Sequence, residues 1–416
     1  MSELVYYYYR VTPLEPLVAR DTRPLLSGSH MHSLAWIPPS VLVGAVRTFL
    51  YKRGMKEPSS LKEIMVQGGF PIMDISTFSN GTQKESTEEK IYFPMPRDYL
   101  QGKETDGTGK KIYKIRPWNL PKQCGIYREE GTMLDTMLSS GFCFCAPTPV
   151  PAESMKPDKV DSYWSHSVIG EWLRDPQNEE FDLTKEKMGT LRSPSLDERV
   201  HVAIDSESRS AQKNGLFTSV ALDLTYTQKK KKYAERSLSL RIVSDNKLDL
   251  PKEFIIPVGG DRHLAIFKQE QQQDFTLWKC PLEVKIKQGT GLRMVLATPA
   301  FFENGWCPDW VASDGTGTIP GSSIKVRLKG AVVSRWKPQS GWSYEEAAKG
   351  KRQKPLRRLV PEGSVYFFEV IENSKNEGIK DLWLNAACQS TQEKGKQEMR
   401  DGFGLALWGT WQMEEC

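Results

Sequence analysis

Helix breakers run through the whole chain: 26 prolines and 32 glycines in 416 residues leave few stretches long enough for a helix. Proline lacks the amide hydrogen that a helix interior needs, and glycine loses the most backbone entropy on ordering. The pattern predicts many short strands joined by long irregular loops. A chain of this length exceeds one typical core, so two domains are expected. Pro251 and then Pro257-Val-Gly-Gly interrupt the strand pattern, which sets the division near residue 250, as 1–250 and 251–416.

The clearest exception opens at Ser40. Val41, Leu42, Ala45, Val46, Phe49 and Leu50 recur at helical spacing. Ser40 is read as the cap of the free amides, with Pro39 restricting the entering chain. Lys52 and Arg53 suit the negative end of the helix dipole, and Gly54 ends the helix. Arg47 shares this helix but lies off its apolar stripe. A second helix is expected over 163–174, where Val168, Ile169, Trp172 and Leu173 repeat.

Strands are expected at 4–11, where four successive tyrosines occur, with alternate rings read as core rather than as a stacking platform for bases. Residues 199–205 (RVHVAID) alternate, with Val200, Val202 and Ile204 on one face and Arg199, His201 and Ala203 on the other. Asn214-Gly215 signals a tight turn before the next strand, so 199–217 reads as a hairpin with a long basic tip. Further strands are expected at 282–286, 292–297, 324–333, 365–371 and 403–411.

A formal net charge of +5, from 57 basic and 52 acidic residues, is mild for this length, so the distribution of charge matters more than its sum. Residues 349–358 (KGKRQKPLRR) hold six cations and no acid. Trp336, Trp342 and Tyr344 stand on one side, and Tyr366, Phe367 and Phe368 on the other. Cations beside aromatic rings can pair phosphates and stack bases, so this segment reads as an RNA contact.

Other chemistries find less support. No GxxxxGK[ST] loop is present, and Gly315-Thr316-Gly317 with Gly321 runs into a strand pattern. Gly259-Gly260-Asp261 is followed by Arg262 and His263, which makes it a poor cation site and a better phosphate-facing turn. His30-Met-His32 and Cys143-Phe-Cys145 lack a third ligand at any recognisable spacing, so neither metal nor cofactor is expected. The seven cysteines, at 124, 143, 145, 280, 307, 388 and 416, have no framework spacing and read as reduced thiols. No run reaches the roughly 18 apolar residues of a membrane span, and residues 1–10 have no signal-peptide pattern, so a cytoplasmic protein without a membrane partner is expected. A metal-free ribonuclease stays open, because His30 or His32 with Arg20 or Arg23 could supply acid, base and phosphate stabiliser.

Several blocks coincide in order along the chain. They are TPLEPLVARDTRPLLSGSHMHSLAWIPPSVLVGAVRTFL, RVHVAIDSESRSAQKNGLF, GGDRHLAIF, GWSYE with KPLRRLVPEGSVYFFEV, and DGFGLALWGTW. Together they resemble the third Cmr-type RAMP protein family of type III-B CRISPR–Cas systems. The glycine turn reads GGDRHLA here, where the family pattern is GGDGRLA-like.

The resemblance implies an α+β chain of two ferredoxin-like (RRM-like, RAMP) domains with long insertions and a thumb-like β-hairpin. It implies a non-catalytic subunit that binds the 5′ handle of the crRNA. It also implies contact with the large polymerase/cyclase-like CRISPR subunit and the backbone RAMP subunits, and with target RNA only indirectly. The RNA-binding candidates are Arg20, Arg23 and His30 in the N-terminal loop, then Ser40 and Arg47 on the first helix. Arg199, Arg209 and Lys213 follow on the hairpin, and Arg262 in the glycine turn. Lys351, Arg352, Arg357 and Arg358 in the basic segment, with Gly402 and Gly404 near the end, complete the set. A crRNA-processing endoribonuclease of the same superfamily, and a general RNA-binding module outside CRISPR, are the alternatives.

Overall fold

The computed structural model describes residues 4–20, 30–31, 33–55, 57–79, 82–103, 110–118, 137, 141–149, 155–176, 181–184, 188–228, 232–270, 276–341, 354–388 and 399–413. Arg23, His32, Lys351 and Arg352 lie outside the described residues.

The chain opens with strand β1 (Val5–Pro13) and the two-residue β2 (His30–Met31). Helices α1 (Pro39–Lys52) and α2 (Pro58–Glu63) lead into the long hairpin of β3 (Met65–Ser79) and β4 (Thr82–Pro94). An inserted sheet follows, built from β5 (Tyr99–Lys103), β6 (Lys110–Trp118), β7 (Phe144–Thr148) and β8 (Lys156–Pro157) in the order β7-β6-β5-β8. Then come β9 (Tyr163–Ser165), α3 (His166–Leu173) and β10 (Thr190–Leu191). Strands β11 (Ser195–Ile204) and β12 (Ala211–Asp223) form the expected hairpin. Strands β13 (Thr225–Gln228), β14 (Lys232–Ser244), β15 (Glu253–Pro257) and β16 (Leu264–Gln269) complete the first large sheet.

That sheet runs β10-β9-β4-β3-β14-β1-β16-β15, with β13 paired to one end of β14. Since 253–269 pair into it, a division at residue 250 would cut through the sheet. The alternation of β1 is why it sits at the centre. Tyr7, Tyr9 and Val11 are buried in the core that packs under α1. Tyr8 points to the other face, edge-on to Trp278 with ring centroids 5.9 Å apart. The buried hydroxyls find partners: Tyr7 donates to the Leu248 carbonyl at 3.2 Å and Tyr9 to that of Pro251 at 2.7 Å. The tyrosine run is thus core on one side, as alternation predicts.

Beyond residue 290, β17 (Gly291–Leu296), β18 (Thr316–Thr318) and β19 (Ile324–Val332) are followed by β20 (Lys337–Gln339) and β21 (Arg357–Leu359), which pair with each other. Strand β22 (Val365–Asn373), the four-residue α4 (Ile379–Leu382) and β23 (Ala406–Thr410) close the second sheet, ordered β18-β19-β22-β17-β23. The strand expected at 282–286 is absent. A single bridge from Lys285 to Gly378 stands in its place.

The architecture is mostly β with few helices. Two complete βαββαβ units would need a helix at each of four crossovers. Among the described residues, only the crossover from β1 to β3 holds a long one. The crossover from β14 to β16 carries β15, and that from β17 to β19 runs through turns.

One core cluster joins the two halves. Phe70, Phe93, Trp164 and Trp172 pack with Leu292, Phe367 and Trp408. Inside it lies an ionic network. Asp98, fully buried, accepts from Arg293 at 2.6 Å, from Arg116 at 2.7 Å and from the Trp172 indole at 2.8 Å. Asp175 accepts from Arg116 at 2.6 Å, from Lys114 at 2.8 Å and from the Gln412 amide at 2.7 Å. Burial pushes the Asp98 carboxyl up, but Arg293, Arg116 and the hydrogen bonds outweigh it and hold it below its usual range. Asp175 is held down in the same way, against its burial, by Arg116, Arg293 and Lys114.

Candidate nucleic-acid interface

Three distant stretches meet at the root of the β11–β12 hairpin. The segment after β1 lies against it: Leu17 and Leu222 exchange backbone hydrogen bonds of 2.9 and 2.7 Å. One residue on, the Val18 carbonyl accepts from the Gly260 amide at 2.8 Å. Gly259, at φ +79, packs so tightly on Val18 that a Cβ would collide with its carbonyl, so only glycine fits there. The ring of His263 hydrogen-bonds the Pro16 carbonyl. Then Ala19 binds Ser33 and Leu34, Arg20 bridges to Ser33, and His30–Met31 pair in parallel with Thr218 and Ser219.

The backbone thereby gathers Arg20, the His30 strand, Arg262 and the hairpin into one region. Arg20, Arg209, Lys213 and Arg262 are exposed, and none of the four has an ion pair among the described residues. Asp261 and Arg262 take left-handed φ of 56° and 57°, which turns the Gly259–His263 loop sharply. Arg199 is also exposed, but it is paired with Asp197 at 2.7 Å.

The hairpin differs from the sequence reading at its tip. The turn is at 205–210, where Asp205 accepts from the Ser208 amide at 2.8 Å and the Glu207 amide at 3.1 Å. Asn214-Gly215 is not the turn; it lies inside β12, with Asn214 left-handed at φ 59°. Aspartate can close a turn through its own side chain, and here that outcompetes the Asn-Gly signal. The register also reveals a pair that the sequence analysis did not single out. His201 and Phe217 are directly opposite, stacked with centroids 5.0 Å apart, and the imidazole hydrogen-bonds Ser219 at 2.7 Å.

Other candidates lie elsewhere and have other duties. Ser40 does not cap α1: Pro38 does, extended and without a side-chain bond, and Ser40 sits inside the first turn with its hydroxyl accepting from Gln339 at 3.3 Å. Proline suits the first helical position, so the Pro38-Pro39 pair starts the helix earlier than expected. Arg47 pairs with Asp401 at 2.6 Å and donates to the Ile64 carbonyl at 2.9 Å, which ties α1 to the final glycine turn. Gly402 and Gly404, at φ +81 and +72, are buried against the Val66 carbonyl and the Cys388 side chain. Their close approach is to the chain itself rather than to an open surface.

Near Gln339, and so near the start of α1, Arg358 lies over Trp336 at 5.0 Å and Arg357 over Phe301 at 4.8 Å. The aromatic strand beside them faces inward: Tyr366, Phe367 and Phe368 are wholly buried. The Cys145 thiol is pushed up to about 12 by burial and by Asp98. Among the described residues, no group of three or more His, Cys, Asp or Glu is placed to hold a metal. Nor, among them, is any helix long and apolar enough to cross a membrane.

Comparison with known proteins adds a family. A chain of a type III-B Cmr-β complex, solved by cryo-EM with cognate target RNA, is 13% identical with a TM-score of 0.41 over 96% of both chains. A second, from that complex with target RNA and AMPPnP in state 1, is 11% identical with a TM-score of 0.36 over 86% of both. A search of curated proteins gave no match. The family model of the CRISPR-associated protein Cas_Cmr3 matches residues 9–411, nearly the whole sequence, and the chain therefore belongs to that family.

Proposed function

We propose that this chain is a non-catalytic subunit of a type III-B CRISPR effector complex. It holds the 5′ handle of the crRNA and bridges the large polymerase/cyclase-like subunit to the backbone RAMP subunits, in the cytoplasm. One observation carries the reading: the backbone ties that bring Arg20, the 259–263 turn and the root of the β11–β12 hairpin together in a Cas_Cmr3 family member, with Arg20 and Arg262 both exposed and without an ion pair among the described residues. Unpaired cations on exposed loops are what a phosphate backbone recruits, and the His201–Phe217 stack offers a ring face beside them.

The strand orders support two ferredoxin-like modules that have shed helices. In that fold the order is fourth, first, third, second. The first half gives β16-β1-β14-β3 and the second β23-β17-β22-β19, all antiparallel.

The test is binding of guide RNA with its native or a scrambled 5′ handle to the full chain. Tighter binding of the native handle is expected, and it should be lost in Arg20→Ala with Arg262→Ala. Equal affinity for both guides would turn the reading into a general RNA-binding module. Incubation with repeat RNA without metal tests the ribonuclease alternative. Clean cleavage that disappears in His30→Ala would replace the scaffold with an enzyme.

A further inference from the structure

The β11–β12 ribbon has two faces, and the one turned away from His201 and Phe217 is aliphatic. Residues opposite each other in the ladder share a face: Leu196 with Leu222, Glu198 with Val220, Val200 with Thr218, and Val202 with Leu216. Ile204 continues the row along β11. At the root the row starts in the core, where Leu222 is wholly buried. From there it runs out into solvent. Leu196, Val200, Val202, Ile204 and Leu216 are 45–68% exposed. From Leu196 to Ile204 the row extends roughly 27 Å, at about 3.4 Å per residue.

A single exposed aliphatic side chain needs no explanation, since much of any protein surface is apolar. Five on one face of one ribbon do, because a continuous apolar row marks a docking surface. The charge on this face says what docks there. Glu198 stands in the row, exposed and without an ion pair among the described residues. No Lys or Arg shares the face between Leu196 and Val202, or on the facing stretch from Leu216 to Leu222. A carboxylate with no cation beside it repels a phosphate backbone, so RNA suits the opposite face, with Arg199, His201 and Phe217. A second copy of this chain would bring the same row, another Glu198 and again no cation. An apolar protein surface with a Lys or Arg placed to meet Glu198 answers both features.

We propose that this face docks a different protein subunit of the effector complex, through an apolar patch that carries a basic residue opposite Glu198. The choice of a complex subunit as occupant rests on the function proposed above; the row itself contains none of the residues assigned there to RNA. The ribbon then lies between RNA on one face and protein on the other.

The experiment uses the effector complex purified from cells by a tag on its large subunit, with photoreactive p-benzoylphenylalanine in place of Val200. Light should crosslink this position to another protein subunit, and peptide mass spectrometry should place the crosslink in an apolar segment containing Lys or Arg. Val200→Asp with Val202→Asp should lower the share of the chain retained in the complex by about tenfold. Glu198→Lys should lower it by less. All three side chains are exposed, so thermal unfolding and handle binding of the isolated chain should stay unchanged. If the aspartates unfold the chain, the photoprobe decides alone. Crosslinks to the guide RNA, to a second copy of this chain or to no protein at all would overturn the proposal, as would full retention of a folded double-aspartate variant. A chain missing from the purified complex would fell the proposed function and this inference together. A chain present and crosslinked to a subunit, but without handle selectivity, would leave this inference standing while the handle reading fell.

Discussion

Arginine does two opposite jobs in this molecule. At the seam between the halves, Arg116 and Arg293 are buried and clamped by Asp98 and Asp175 at 2.6–2.7 Å. At the hairpin root, Arg20 and Arg262 are exposed and have no carboxylate partner among the described residues. The contrast shows that composition alone says nothing about ligand binding. A guanidinium with a carboxylate in reach is a strut, and one without is available to phosphate. Arg47, on the first helix, falls on the strut side of this line because Asp401 reaches it.

The sharpest way to break the comparison is at its buried end. Asp98→Ala would leave Arg293 and Arg116 without their shared counter-ion, with an expected loss of about 3–5 kcal/mol in denaturant unfolding. A loss near zero would mean that the seam is not held by charge. Acid should expose the same strut. Asp98 and Asp175 are both held below their usual range, so the stability they add is complete above the unfolded carboxylate pKa of about 3.9 and is lost as pH falls below it. The stability gap between the parent protein and Asp98→Asn should therefore narrow below that pH. A gap that stays constant to low pH would refute the assignment.

Arg47→Ala comes next, at about 1–3 kcal/mol, since it strips a charge partner from a nearly buried Asp401. It should leave the salt dependence of RNA binding untouched, and a flattened slope would move Arg47 across the line. The smallest stability effect belongs to Arg20→Ala with Arg262→Ala, within about 0.5 kcal/mol of the parent. There the readout is RNA: each lost phosphate contact should flatten the logarithmic salt slope by about 0.7. An unchanged slope would remove both residues from the interface.

What the sequence made legible was local. Alternation placed Tyr7 and Tyr9 in the core, and helical spacing located α1, because each signal lives in a handful of neighbours. The hairpin was legible for the same reason, though its turn was not, since Asp205 and Asn214-Gly215 offered competing signals ten residues apart. Basic loops near Arg20 and Arg262 were readable as candidates, but their union depends on Gly259 seating against Val18, across some 240 positions. Gly402 and Gly404 looked like an open loop because nothing local reveals that Val66 and Cys388 fill the space beside them. The Asp98 network was invisible for a like reason. Its members sit at 98, 116, 175 and 293, and none is unusual in its own neighbourhood.

Strand β14 sets a timetable as well as a shape. It joins β1 to β3, pairing Tyr6 with Val243 and Val66 with Ile242. The two older strands do not pair with each other, though the Arg10 and Asp74 side chains meet at 2.7 Å, so their backbone edges must wait until β14 leaves the ribosome. At roughly 5–20 residues per second, that interval lasts on the order of ten seconds or more. During it, a tyrosine-rich strand and a long hairpin have unfilled edges. A newly made chain is therefore most exposed to misassembly or to capture by a chaperone until residue 244 has left the ribosome, and a stall between β4 and β14 should lengthen that window.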